Sequence, residues 1–490
     1  MSKPIEVEVC IIGGGVSGLK AAHTLLNYSE SKYSSKDLIL LEAQDRLGGR
    51  IFTDRTSSKL GLSYDLGASW FHDSLNNVVL EESINDGSFN VMEDGYYDDK
   101  DMKVFASDKD GPLDVNDMRL HRVAEDLEKF IELYYFDDLD KKDMPLYKIV
   151  GMFMEKHSSR LTTEQKKYCN TMLRYLELWY GITWDKISAK YSIMDHQGRN
   201  LFNKKGYDFV INKLSRDIPE DRILLAHPVT SIIRNNKNGD KKVAVESANG
   251  PTVYCNYLIV TVPQSILSLS PLHIHGITWT PPLPSNITNA LESIHFGALG
   301  KVIFEFDSCW WDINEDRFEI LADSTDDSLL SESLKLPPKS FSFPVFAVNY
   351  AAVHKNSTKG ASLCILTQSP LTDYLESHPD QAWSYFKPML AKLKFSDHEV
   401  SDPINTITSN WTNNPYVRGS YSAVESGDDP LDIITQLSGE HDCGLTDKNI
   451  RFAGEHTILD GSGCVHGAYM SGQREAIWIL KDSGAISTAE

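Results

Sequence analysis

The 490-residue sequence predicts a composite of α/β and α+β architecture. A discontinuous, Rossmann-like dinucleotide-binding domain is combined with a second domain of mixed sheet and helices. Three observations carry this reading. The chain opens as strand, glycine turn and helix, with Gly13-Gly14-Gly15-Val16-Ser17-Gly18 between the apolar run Glu6–Ile12 and a helical pattern over Val16–Leu26. Its end repeats that order, with Ile450–His456, a glycine turn and a helix over Ala468–Lys481. Between the two lie short β runs and amphipathic helices, so a nucleotide-binding unit made from both ends must be interrupted by the middle.

The elements follow in order. A second strand over Asp37–Glu42 leads into a hairpin-like stretch that ends at Tyr64-Asp-Leu-Gly-Ala-Ser-Trp70. Residues 93–140 are acidic and aromatic. Within them Leu120, Val123, Leu127, Phe130, Ile131 and Tyr134 recur at helical spacing. A helix is expected over Thr163–Tyr180, opened by a capping box of Thr162 and Gln165 and ended by Gly181. Short β runs fill 222–262, and Lys301–Phe306, Val345–Tyr350 and Leu363–Leu366 read as further strands.

Composition places the chain among folded globular proteins, with 41% hydrophobic and 24% charged residues. A net charge of −21 argues against a nucleic-acid partner, which needs a basic face. It suits a cationic ligand, although solubility alone accounts for many acidic proteins. Seven cysteines, at positions 10, 169, 255, 309, 364, 443 and 464, form no CxxC pair, which points to reduced thiols without a disulfide framework or metal site. There is no leader pattern, no apolar run near the ~20 residues of a membrane span and no C-terminal SKL, so a cytoplasmic monomer or homodimer without a membrane partner is expected.

The chemistry is concentrated in the glycine turn and its partners. Gly13 permits a tight turn, Gly15 lets backbone approach a pyrophosphate, and Gly18 lets helix pack on strand, with Ser17 in the first helical turn. The helix N-terminus adds oriented N–H groups for phosphate. Glu42 ends the second strand where a ribose-binding acid belongs. Arg46 and Arg50 flank Gly48-Gly49, which suits an extended pyrophosphate.

The string Glu42-Ala-x-x-Arg46-x-Gly48-Gly49-Arg50 resembles the flavin amine oxidases. The resemblance continues through Gly67-Ala68-Ser69-Trp70, Tyr257–Pro263, Trp411–Pro415, Gly419–Tyr421, Phe452–His456 and Gly461–Gly467. Trp70–Asp73, Arg174–Trp179, His196–Asn200 and Ile294–Phe306 are similar to the fungal polyamine oxidases acting on spermine. The resemblance implies an FAD-binding domain from residues 1–85, 201–265 and 410–490, and a substrate-binding domain from 86–200 and 266–409. It implies FAD contacts at Gly67, Ala68, Ser69, Trp70, Val229, Trp411, Gly454, Glu455, Cys464 and Val465. The FAD is expected to be non-covalent, because Ser420 stands where relatives carry a tethering cysteine. Lys301 is expected to hold water against the flavin and His72 to border the reacting amine. Trp179, His196, Asn200 and His466 are expected at the substrate, His466 standing where an aromatic ring is common.

The implied reaction is oxidation of a secondary amine C–N bond in a polyamine by O2, giving an aldehyde, a shorter amine and hydrogen peroxide. A rival reading is a flavoprotein that holds a steroid-like ligand in the same tunnel and turns amines over weakly or not at all. A protein-lysine demethylase would carry a long helical insertion, and a nicotinamide-dependent flavin reductase a second glycine fingerprint; neither feature is found in the sequence.

Overall fold

Three short apolar runs, VCII, LILL and YLIV, have no polar alternation, the pattern of strands buried on both faces, and a fourth strand, IRF, joins them with Arg451 buried against Glu475. In the computed structural model, which describes residues 3–29, 31–138, 140–193, 197–235, 241–323, 337–354, 360–439 and 444–486, they are four neighbouring strands of a five-stranded parallel sheet. Its order is Ile223–Leu224, Leu38–Leu41, Val9–Ile12, Tyr257–Val260, Ile450–Phe452. The chain's opening, middle and end therefore share one sheet. The helix Val16–Asn27 packs on it beside the long helix Val465–Asp482. The two helices approach so closely at Gly472 that a Cβ there would lie 2.1 Å from the Ser17 carbonyl oxygen.

A second sheet forms the other half of the site. Its six strands run Asn405–Thr408, Gly300–Glu305, Ser362–Thr367, Val345–Asn349, Arg317–Ile320, Lys103–Phe105. All neighbours are antiparallel except the last pair. One face packs on Phe304, Phe306, Phe318 and the tryptophans Trp310 and Trp311. The opposite face carries Lys301, Leu366 and Phe346. A small three-stranded sheet, Trp70–Phe71 with Leu201–Asn203 and Gly95–Tyr97, joins the halves.

The helix Leu120–Phe136 forms as its spacing predicts, burying Leu120, Val123, Leu127 and Ile131. The Thr162–Gln165 capping box is present, and Gly181 ends the last turn in the left-handed region at φ 64°. The expected single helix is broken, however. It runs Thr163–Met172, tightens to a 3₁₀ turn over Leu173–Tyr175, and resumes over Leu176–Tyr180. At the break Arg174 is fully buried and paired with Glu177, so the chain is shaped by a buried ion pair that hydrophobic spacing does not reveal. The opening strand is also divided: Ile5–Glu6 pairs with Val253–Cys255 in a separate sheet, and only Val9–Ile12 enters the parallel one. Among the described residues no helix is long and apolar enough to cross a membrane.

Candidate active site

A cavity of about 590 Å³ runs between the two sheets. At one end it is lined by Glu42, His227 and Val229, at the other by Trp70, His72, Trp179 and Lys301.

The glycine fingerprint builds the first end by stereochemistry. Gly13 sits at φ 109°, and a Cβ there would lie 2.3 Å from Thr261 Oγ1. At Gly18 a Cβ would lie 2.0 Å from the Gly13 carbonyl oxygen, so helix and turn can close only on glycine. Gly15 differs: a Cβ there meets nothing within 4 Å and would project into open space at the helix N-terminus. That is the cradle a pyrophosphate requires. Ser17 also lines the cavity, its hydroxyl 3.3 Å from that of Ser471. Glu42 is buried and accepts the N–H groups of Gly14 at 2.6 Å and Gln44 at 2.8 Å. Burial raises its pKa, and those donors partly offset the rise.

The two arginines divide their work. Arg46 directs its guanidinium at the carbonyls of Leu47, Ile51 and Gly49, at 3.1, 3.1 and 2.8 Å, and lies behind the cavity lining instead of on it. Arg46 braces the Gly48-Gly49 loop. Arg50 lines the cavity and donates to Glu455 Oε1 at 2.8 Å and to the Ser420 carbonyl at 3.0 Å. Glu455 also accepts from Ser422 and from the Gly463 N–H. Burial alone would raise its pKa, yet Arg50 and His456 outweigh burial and hold it below the ordinary value.

At the other end Lys301 is 2% exposed on the strand Gly300–Glu305. Its ammonium donates to the Asp65 carbonyl at 2.7 Å, the Gly67 carbonyl at 2.5 Å and the Ser69 hydroxyl. These use all three donors. The Trp70 ring centroid lies 5.6 Å away. Burial lowers the pKa of Lys301, with Cys364 and Asp65 opposing it. Burial pushes the Asp65 carboxyl up to about 6, with Thr53 and Lys301 opposing. Gly67, Ala68, Ser69 and Trp70 all line the cavity. Trp411, also on the lining, is fixed by its indole N–H on the Leu66 carbonyl at 2.8 Å.

His72 lines the cavity, and its Nδ1 lies 3.0 Å from Asn200 Oδ1. An amide oxygen only accepts, so the bond requires Nδ1–H and leaves the lone pair of the neutral ring on Nε2. Asn200 therefore acts through His72 and is not itself on the lining. The pairing follows from register: Trp70 opposes Phe202 and Phe71 opposes Leu201. Trp179 lines the cavity; His196 lies outside the described residues.

His466 is not on the cavity lining. It is 1% exposed, lies 3.5 Å from Asp73 Oδ2, and contacts Asn77 Nδ2 at 3.3 Å, while Asn77 donates to the His72 carbonyl at 2.7 Å. The side chains on the lining from this segment are Ser462, Cys464, Val465 and Ala468. The helix begins at Val465, so Val465 and Ala468 share its cavity face at i, i+3 while His466 is turned about 100° away from it. Burial pushes the Cys464 thiol up to about 12.

Lining residues that the sequence did not single out include Tyr180, Ser192, Leu366 and Tyr416. Tyr180 was findable as the neighbour of Trp179 at the helix end; Ser192 carried no signal.

The residues present fit FAD: an open glycine cradle at a helix N-terminus, a buried acid at the ribose end, and a continuous cavity that reaches a buried lysine. Residues 16–480 match the family model described as flavin containing amine oxidoreductase. The chain is 54% identical to a corticosteroid-binding protein of Candida albicans, over 98% of this chain and 97% of that protein. It is 28% identical to polyamine oxidase 5 of Oryza sativa subsp. japonica, over 95% and 86% of the two chains. To the human peroxisomal N(1)-acetyl-spermine/spermidine oxidase it is 26% identical, over 96% and 94%. A redesigned putrescine oxidase structure superposes with TM-score 0.66 at 16% identity, covering 98% of this chain and all of that one, which shows the shared fold.

Proposed function

The chain belongs to the flavin containing amine oxidoreductase family, and from that premise we propose that it is an FAD-dependent polyamine oxidase. The carrying observation is Lys301, buried at the end of the cavity that begins at the glycine cradle. An ammonium on an apolar strand is costly to bury, which favours a functional reason for its position.

Bound FAD supplies the two-electron acceptor for the C–H bond next to the amine nitrogen, and O2 takes the electrons on to hydrogen peroxide. The protein's residues orient the substrate and manage protons. The reacting nitrogen must be neutral, and His72, which lines the cavity with its Nδ1 held by Asn200, is placed to border it. Lys301, whose three donors hold the Asp65–Ser69 segment, sets a positive charge beside the reacting atoms. The substrate lies between Trp70, Trp179 and Leu366, walls that exclude bulk water. Arg50, Glu455 and the Gly454 turn hold the cofactor without a covalent bond. Ser420 offers only a hydroxyl, which donates to the Leu299 carbonyl at 2.6 Å. The polyamine oxidases among the relatives support this substrate class.

A second reading rests on one observation, the 54% identical relative named for corticosteroid binding. A steroid-like ligand would occupy the same apolar walls. Anaerobic mixing of the yellow protein with spermine separates the two. Bleaching of the visible flavin band, reversed by air with peroxide release, is the expected result. Persistent colour with spermine, spermidine and acetylated polyamines would overturn the oxidase reading and leave the ligand-binding one.

A further inference from the structure

The sheet that carries Lys301 also carries an acid that nothing so far employs. Lys301 is paired with Leu366, Leu366 with Phe346, and Phe346 with Glu319, one residue from each of four adjacent strands. Directly opposed residues share a face, so the four side chains form one row, which leaves the cavity lining after Leu366 and continues behind it through Phe346 to Glu319. Lys301 and Leu366 line the cavity. Phe346 packs edge-on against Trp179 with centroids 5.3 Å apart, and Trp179 is itself a cavity wall. Glu319 ends the row, 6% exposed, without a hydrogen-bond or ion-pair partner among the described residues.

A buried carboxylate without a partner is disfavoured unless a ligand completes it. Burial pushes its pKa up to about 7, so a cation arriving beside it would restore the charged form. The cation of its own strand, Arg317, is engaged with Asp98, Asp316 and the Lys100 carbonyl. Between Lys301 and Glu319 lie apolar and aromatic surfaces, and aromatic faces attract ammonium groups. Three inter-strand steps of ~4.8 Å place Glu319 roughly 14 Å along the row from Lys301. That exceeds the nitrogen spacing of a short diamine and suits a long linear polyamine.

We propose that Glu319 is a specificity-determining residue that binds the distal ammonium of a long polyamine whose reacting nitrogen lies at the Lys301 end. This deepens the oxidase reading and rests on it.

The test compares the FAD-loaded wild type with Glu319→Gln and Glu319→Asp. Two amines are used: spermine, and N-methylbutylamine, a secondary amine with no second nitrogen. For Glu319→Gln, kcat/KM for spermine is expected to fall by ~30-fold or more, as for loss of one partner of a buried charge pair, with the monoamine value unchanged within about twofold. Glu319→Asp, which keeps the charge, is expected to show a smaller loss that is still confined to spermine. Equal changes for both amines, or an unchanged spermine value, would overturn the proposal. If Glu319→Gln does not retain flavin, the Asp variant decides by the same criterion. If no amine reduces the wild-type flavin, the oxidase reading fails, and spermine binding by equilibrium dialysis takes over. Tight wild-type binding weakened at least tenfold in a Glu319 variant sustains the site; equal or absent binding overturns it.

Discussion

Arg50 Nη1 donates to Glu455 Oε1 at 2.8 Å, closing the cavity wall between the Gly48-Gly49 loop and the turn that precedes the last helix. Glu455 is 3% exposed, so removal of the arginine leaves a buried carboxylate without its cation. Arg50→Ala is expected to cost about 2–3 kcal/mol, below the range for a wholly buried pair because Arg50 keeps partial exposure, and to lower the flavin-to-protein ratio. Urea titration and the absorbance ratio after gel filtration check both.

Gly15 and Gly18 should respond oppositely to a methyl group. Gly15 has φ −77° and ψ −178°, which alanine adopts freely, and its Cβ would meet only open space. Gly15→Ala is therefore expected to leave the apoprotein's Tm within about 2 °C while weakening FAD binding at least ~10-fold, since the methyl projects into the cradle. Gly18→Ala forces a contact with the Gly13 carbonyl oxygen and is expected to destabilise the apoprotein itself by about 2 kcal/mol or more. Equal apoprotein stabilities would contradict the packing role of Gly18.

Acid should weaken the fold partly through His456. It is 1% exposed, and burial lowers its pKa from 6.5 to about 4. Its folded value is below the unfolded one, so the folded state binds fewer protons. That contribution is complete above pH 6.5 and is lost as pH falls toward 4. Between pH 7 and 5 it amounts to about 2 kcal/mol. Asp65 and Asp98, both pushed up to about 6 by burial, act in the opposite sense, so the comparison is with His456→Asn. Urea midpoints at the two pH values should fall less in the variant.

Lys301→Met is expected to slow reoxidation of the reduced protein by O2 by about 10²-fold while amine-driven reduction changes far less. Stopped-flow measurement of the two half-reactions separates the effects. A similar loss in both would assign Lys301 to packing of the Asp65–Ser69 segment, whose carbonyls and hydroxyl it binds.

The glycine fingerprint was legible in the sequence because its roles are local: a positive φ, a close helix contact and an open cradle follow from the absence of a side chain at fixed spacing. The alternating fates of neighbouring residues were not legible. Cys464 and His466 differ by two positions, and only the start of the helix at Val465 decides which one faces the cavity. Arg46 and Arg50 look equivalent in the string, yet one is absorbed by backbone carbonyls and the other reaches the last turn of the site. Glu319 carried no sequence signal. Its position relative to Lys301 depends on the register of three strand pairings.

The parallel sheet has a consequence for biogenesis. Its central strand Val9–Ile12 is flanked by Leu38–Leu41 and by Tyr257–Val260, and the next strand, Ile450–Phe452, lies close to the chain's end. The glycine cradle is synthesised well before Glu455 and the helix Val465–Asp482 that packs on Val16–Asn27. Contacts of such long sequence separation close late and slowly. The cradle therefore cannot close before the segment Ile450–Asp482 has been made, more than 400 residues of chain after the glycine turn.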